Sequence, residues 1–170
     1  MLKIFVTNLG KYNEGQLVGE WLTLPANTIA IKRLKERIEI GRYYEEYFIT
    51  DFETDISGLK VGEYDNLDEL NEMAETLDDL DESDREIIEA IMSEGYSLDQ
   101  ALEMKDDVLV YYDCYDMTDV AMQYCDECGI LDSVPENLRN YFDFEAYGRD
   151  MSFESTFIFT NNGNCIEIIR

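Results

Sequence analysis

The sequence predicts an α+β protein, an elongated chain of three small units: an N-terminal antiparallel sheet plus helix, a central acidic helical bundle, and a C-terminal sheet plus helices. Three observations carry this. Short β-branched and aromatic runs gather at the two ends of the chain, apolar residues recur at helical spacing through its middle, and the charge steps sharply between the parts. Residues 1–62 hold nine acids and eight bases, residues 63–107 hold 18 and two, and residues 108–170 hold 12 and three.

In the first part, "KIFVTN" (3–8) and "LVGEWLTL" (17–24) read as strands joined by a loop. A helix is predicted from Thr28 to Ile40, followed by the strand "YEEYFITDF" (44–52). The middle part reads as helices only. Leu67, Leu70, Met73, Ala74, Leu77 and Leu80 form one apolar stripe on a helix from about Asn66 to Leu80, and Ile87, Ile88, Ile91 and Met92 form another. Ser83 with Glu86, and Ser97 with Gln100, fit capping boxes, and Gly95 suits a stop between helices. The last part opens with the strand "DVLVYYD" (107–113). Helices are predicted from Met117 to Cys128, after Pro135 and around Phe144, before a closing hairpin that turns at Asn162-Gly163. Units of 45–63 residues are marginal as independent cores, which favours support from a dimer interface.

Apolar residues make up 45% of the chain and aromatics 12%, so the composition is that of a folded protein. Thirteen bases against 39 acids give a formal charge of −26, which repels nucleic acid and anionic membrane surfaces and points to a basic partner. The N-terminus shows no leader pattern and no run is long enough to span a bilayer, so a cytoplasmic protein is expected. The absence of His removes imidazole bases and the commonest transition-metal ligand.

"ETLDDLDESDREIIEA" (75–90) shows how the acid is arranged: eight carboxylates with Arg85 as the single base. Like charges at helical spacing cost about 0.2–0.5 kcal/mol per pair, so a face meant only for solvent normally interleaves Lys with Glu. Asp68, Glu72, Glu75 and Asp79 line one face opposite the leucine stripe, with successive carboxylates about 4.5–6 Å apart along the axis. Stretched as one helix, the central part would carry about one net charge per 4 Å, and side-by-side helices roughly double that, against about one per 1.7 Å for duplex DNA. A salt-adapted surface would spread acid evenly, which the near-neutral first 62 residues do not show.

No calcium loop fits. Such a loop needs ligands at its first, third and fifth positions, Gly at the sixth and Glu at the twelfth. Counting from Asp79 these last two are Asp84 and Ala90, and counting from Asp78 the third is Leu80. Cys125 and Cys128 lie one helical turn apart, and with Cys114 and Cys165 they lack the usual two-pair zinc spacing, so reduced thiols are expected and neither metal nor cofactor. So many carboxylates offer acid pairs by chance, which nominates no glycosidase pair and no other enzyme. The Tyr-rich runs "RYYEEY" and "VYYDCY" read as strand packing.

The stretches "LGKYNEGQLVGEWLTLP" (9–25), "DDVLVYYDCYDMTDVAMQYCDECGILDSVPENLRNYFDFEAYGRD" (106–150) and "STFIFTNNG" (155–163) are similar to the ArdA-type antirestriction protein family. The most specific segments are "GKYNEG", "VPENLRNY" and "AYGRD". The resemblance implies a cytoplasmic, homodimeric protein carried by conjugative plasmids and transposons. It further implies mimicry of bent B-form DNA, occupation of the DNA-binding cleft of type I restriction–modification enzymes, and an elongated three-part chain that dimerises through its C-terminal part, in agreement with the divisions that charge and turns place at 1–62, 63–107 and 108–170.

As phosphate stand-ins the central part offers Asp68, Glu69, Glu72, Glu75, Asp78, Asp79, Asp81, Glu82, Asp84, Glu86, Glu89, Asp106 and Asp107. Asp113, Asp116, Asp119, Asp126 and Glu127 would continue the track toward a two-fold axis. The family's antirestriction motif matches about Asp126 to Tyr141, which makes Ile130, Leu131, Val134, Pro135 and Leu138 dimer-interface candidates, with core packing as the alternative. Lys32, Arg33, Lys35 and Arg37 imply that the first unit adds less to the mimicry. The competing functional reading is an acidic binding module that sequesters a different basic DNA-binding protein.

Overall fold

A computed structural model describes residues 1–169 and shows an α+β fold. Its contacts gather into two compact units, residues 1–85 and residues from Glu86 onward.

In the first unit, strand β1 (Leu2–Asn8) buries Leu2, Ile4 and Val6 while Lys3 and Phe5 lie on the other face, as the period-two pattern requires. Helix α1 (Leu9–Asn13) follows at once, where the sequence suggested a loop. Its signal is Asn8, whose side chain accepts from the Lys11 backbone N–H at 2.9 Å and whose amide donates to the Ile38 carbonyl at 2.9 Å. Strand β2 (Gly19–Leu24) is shorter than expected, since Leu17 lies ahead of it and is exposed. Helix α2 (Thr28–Arg37), capped by Asn27, ends before the expected Ile40. Ile38 closes it, Glu39 turns left-handed at φ 61°, and the N–H groups of Glu39 and Ile40 bond back to Glu36 and Lys35, a Schellman stop formed without glycine.

Strand β3 (Tyr47–Thr54) begins three residues later than the sequence suggested. Tyr44 is held in a turn instead, its carbonyl accepting from Gly41 and its hydroxyl donating to Glu14. The sheet is antiparallel in the order β2-β1-β3, with a bulge in the β1–β3 pairing between Phe5 and Val6. Helix α3 (Leu67–Asp78) is capped by Asn66 and buries Leu67, Leu70, Ala74 and Leu77. Both α2 and α3 pack beside β2, so the core lies between this sheet and the two helices.

Helix α4 (Glu82–Ser93) contains the boundary between the units and buries Ile88, Ala90, Ile91 and Met92. Ser83 is not its cap. Asp81 fills that role, accepting from the Asp84 N–H at 2.8 Å, and Glu86 turns away to other partners. Gly95 ends the segment at φ 98°, and helix α5 (Leu98–Met104) starts with the Ser97–Gln100 capping box that the sequence predicts.

Strand β4 (Val108–Tyr111) is followed by helices α6 (Met117–Glu127), α7 (Glu136–Arg139) and α8 (Phe144–Met151). Strands β5 (Thr156–Phe159) and β6 (Cys165–Ile168) close the chain as a hairpin through residues 160–164, a longer turn than Asn162-Gly163 alone. The antiparallel order is β4-β6-β5. Tyr111, Cys114, Val120 and Cys165 form a core, with Met117, Tyr124, Met151 and Phe157 around it. Helix α8 crosses α6 at Gly148, where a Cβ atom would stand 2.2 Å from the Met117 carbonyl oxygen.

Candidate functional site

The acid sits where the amphipathic pattern of α3 puts it. With Leu67, Leu70, Ala74 and Leu77 turned into the core, Asp68, Glu69, Glu72, Glu75, Asp78 and the C-cap Asp79 are all exposed. None of the six has a cation within ion-pairing distance among the described residues. Glu75 is nonetheless fixed: the Asn71 amide donates to it at 2.8 Å, while the Asn71 oxygen accepts from the Ala26 N–H at 2.6 Å. Sequence reading missed Asn71, because its role depends on a turn 45 residues away in the chain.

The remaining central carboxylates divide by task. Asp81 and Glu82, at the start of α4, are exposed, and Asp84, Glu86 and Glu89 are half-buried. Glu86 accepts from the Thr160 hydroxyl and from the Asn164 amide at 3.1 Å, so it ties α4 to the turn of the C-terminal hairpin. Asp106 takes the Lys105 ammonium at 3.2 Å beside an exposed Asp107.

Around the start of α6 the structure brings several predicted residues together. Asp116 caps the helix, accepting from the N–H groups of Thr118 and Asp119, and Asp119 accepts from the Tyr115 N–H at 3.0 Å. Asp113 stands exposed at φ 55° just after β4, and Glu127 accepts from the Gln123 amide. Burial, and then the fields of Asp119, Asp113, Asp116 and Glu127, push the Cys114 thiol above its ordinary pKa. Burial likewise pushes Cys165 up to about 12, so these two thiols are poor nucleophiles. Cys125 is also buried, and Cys128, the C-cap of α6, is exposed.

The interface candidates lie after α6. Ile130, Pro135 and Leu138 are exposed, Leu131 and Val134 half-buried, so core packing does not account for the first three. Arg139 shapes this loop by donating to the carbonyls of Val134 at 3.0 Å and Asp132 at 3.1 Å. Leu131 and Asp126 line a groove of about 550 Å³ with Met122, Phe142 and Phe144, three residues that sequence reading did not nominate. Phe142 packs edge-on to Phe144 at 4.9 Å.

A second cleft, of about 840 Å³, lies within the N-terminal unit. Asp68, Asn71, Glu72 and Glu75 of α3 form one wall, and Ile31, Lys32, Lys35 and Glu36 of α2 the other. Elsewhere in this unit bases are used locally: Arg37 grips Glu20 through two nitrogens at 2.5 and 2.7 Å, Lys11 pairs with Glu39 and Lys3 with Glu53. Among the described residues no group of three His, Cys, Asp or Glu converges as metal donors, and no helix is long and apolar enough to cross a membrane.

Fold and site together define an acidic α+β protein that carries its charge on exposed helix faces. The chain belongs to the ArdA antirestriction family, whose profile, described as antirestriction protein (ArdA), matches residues 4–165 of the 170. Membership implies antirestriction function and interaction with restriction enzymes, and the family is a non-catalytic one. No curated protein matches the chain.

Proposed function

We propose that the protein is a cytoplasmic, homodimeric mimic of B-form DNA, encoded on mobile elements, that occupies the DNA-binding cleft of type I restriction–modification enzymes. The observation that carries this reading is the face of α3: six exposed carboxylates from Asp68 to Asp79 with no cation paired to any of them among the described residues. A face meant only for solubility gains from interleaved Lys, and this one forgoes that gain. Its carboxylates stand in for phosphates at the Lys and Arg side chains of the enzyme, the central part (63–107) carries most of the track, and the acids around α6 extend it. The C-terminal part supplies the dimer contact through Ile130, Leu131, Val134, Pro135 and Leu138, of which the exposed Ile130, Pro135 and Leu138 leave apolar surface to be covered.

The test is competition between the protein and duplex DNA for a type I enzyme across a salt series. Displacement of DNA with affinity that falls steeply as salt rises is expected, because a phosphate-binding surface releases ions when it is filled. Simultaneous binding of DNA and protein, or affinity indifferent to salt, would refute it. Capture of other basic DNA-binding proteins with equal affinity would favour the sequestering-module reading.

A further inference from the structure

The α2–α3 cleft holds charges of both signs that do not meet. Lys32 and Lys35 share it with Glu36, Asp68, Glu72 and Glu75, a local excess of two negative charges, and no ion pair joins the lysines to any of the four carboxylates. Pairing is available to this helix where the geometry is built for it, as Arg37 and Glu20 show. Lys35 instead lies over the Tyr47 ring, 5.6 Å from its centroid, and the Tyr47 hydroxyl accepts from the first N–H of α3, that of Leu67. The α3 wall is held in place by Asn71, bonded to Ala26 on one side and Glu75 on the other. A prearranged wall of this kind loses little freedom when a ligand arrives.

We infer that Lys32 and Lys35 are specificity-setting residues of the acidic surface. They make the α2–α3 cleft a seat for a mixed-charge segment of a basic partner, one that brings a Lys or Arg to α3 and a carboxylate to α2, and a poor seat for a uniformly basic one. This deepens the DNA-mimic reading and rests on α3 being partner-binding. Discrimination commonly uses such a repulsive element beside an attractive one. The space suits it: the cleft has a volume of about 840 Å³, and Ile31 and Ile40 offer apolar wall for the stem of an Arg or Lys.

The experiment uses two synthetic peptides with the same number of Lys residues, one spaced by Ala and one interleaved with Glu, titrated into the full chain. Lys32→Gln/Lys35→Gln should tighten the Ala-spaced peptide about three- to tenfold and leave the Glu-interleaved peptide unchanged or weaker. Arg33→Gln/Lys60→Gln, which removes the same charge away from the cleft, should shift both peptides together and by less than about twofold. Lys32→Gln alone leaves the Lys35–Tyr47 contact intact and should show the same selective shift at smaller size. Equal shifts for both peptides, or a control pair that matches the cleft pair, overturn the inference. If the selective shift appears but the parent fails to displace DNA from the enzyme, the cleft inference stands and the DNA-mimic reading falls.

Discussion

Helices α2 and α3 both begin at an asparagine whose side chain accepts from the first turn, both bury aliphatic side chains, and both pack beside β2. Their outer faces are opposite: α2 carries four bases and one acid, α3 five acids and no base. The bases of α2 agree with its macrodipole, since Lys35 and Arg37 lie in its last turn. Asp68 and Glu69 likewise suit the start of α3, but Asp78 and Asp79 oppose the field at its end. Packing therefore sets the inner face of each helix and leaves the sign of its outer charge unconstrained.

The strongest way to break the comparison is through what the helices share. Leu34→Ala in α2 and Leu77→Ala in α3 should each cost about 2–5 kcal/mol in chemical unfolding, because both side chains are fully buried. If only one proves costly, the two helices do not share a core. Next come the caps: Asn27→Ala and Asn66→Ala should each lower stability by about 1 kcal/mol, and a near-zero effect at either would show that backbone end groups there find other partners.

Charge separates the helices. Asp68→Asn/Glu72→Gln/Glu75→Gln/Asp79→Asn removes three like-charged neighbours at helical spacing and should raise stability by about 0.5–1.5 kcal/mol while weakening antirestriction. A quadruple variant that melts lower and inhibits as well as the parent would refute the electrostatic account of α3. The smallest effect belongs to α2, where Arg37→Ala opens the exposed Arg37–Glu20 pair and should leave the unfolding midpoint almost unmoved without altering inhibition.

Much of this contrast is legible in the sequence. Apolar spacing places α3 and its buried face, and Asn66 marks its start, because both signals are local. The same rules miss α1, whose five residues are too few to show a period and whose cap lies at the end of a strand. They also assign the cap of α4 to Ser83, whereas the helix starts two residues earlier and Asp81 caps it through the Asp84 N–H. The acids of the site are readable one by one from composition. Their setting is not: that Lys32 and Lys35 face Glu72, that Asn71 braces Glu75, or that Glu86 is committed to Thr160 and Asn164 follows only from chain segments brought together by folding. Phe142 and Phe144 stayed unnominated for the same reason, since they border Leu131 only across a groove.

The crossing at Gly148 gives the C-terminal unit a joint of an uncommon kind. Because α8 meets α6 at the Met117 backbone with no side chain between them, the fit there has no rotamers to rearrange and no spare volume to absorb a larger residue. A side-chain contact can creep as neighbours repack, whereas a backbone contact keeps one spacing or separates. The closeness of α8 to the start of α6 thus depends on the absence of a single methyl group.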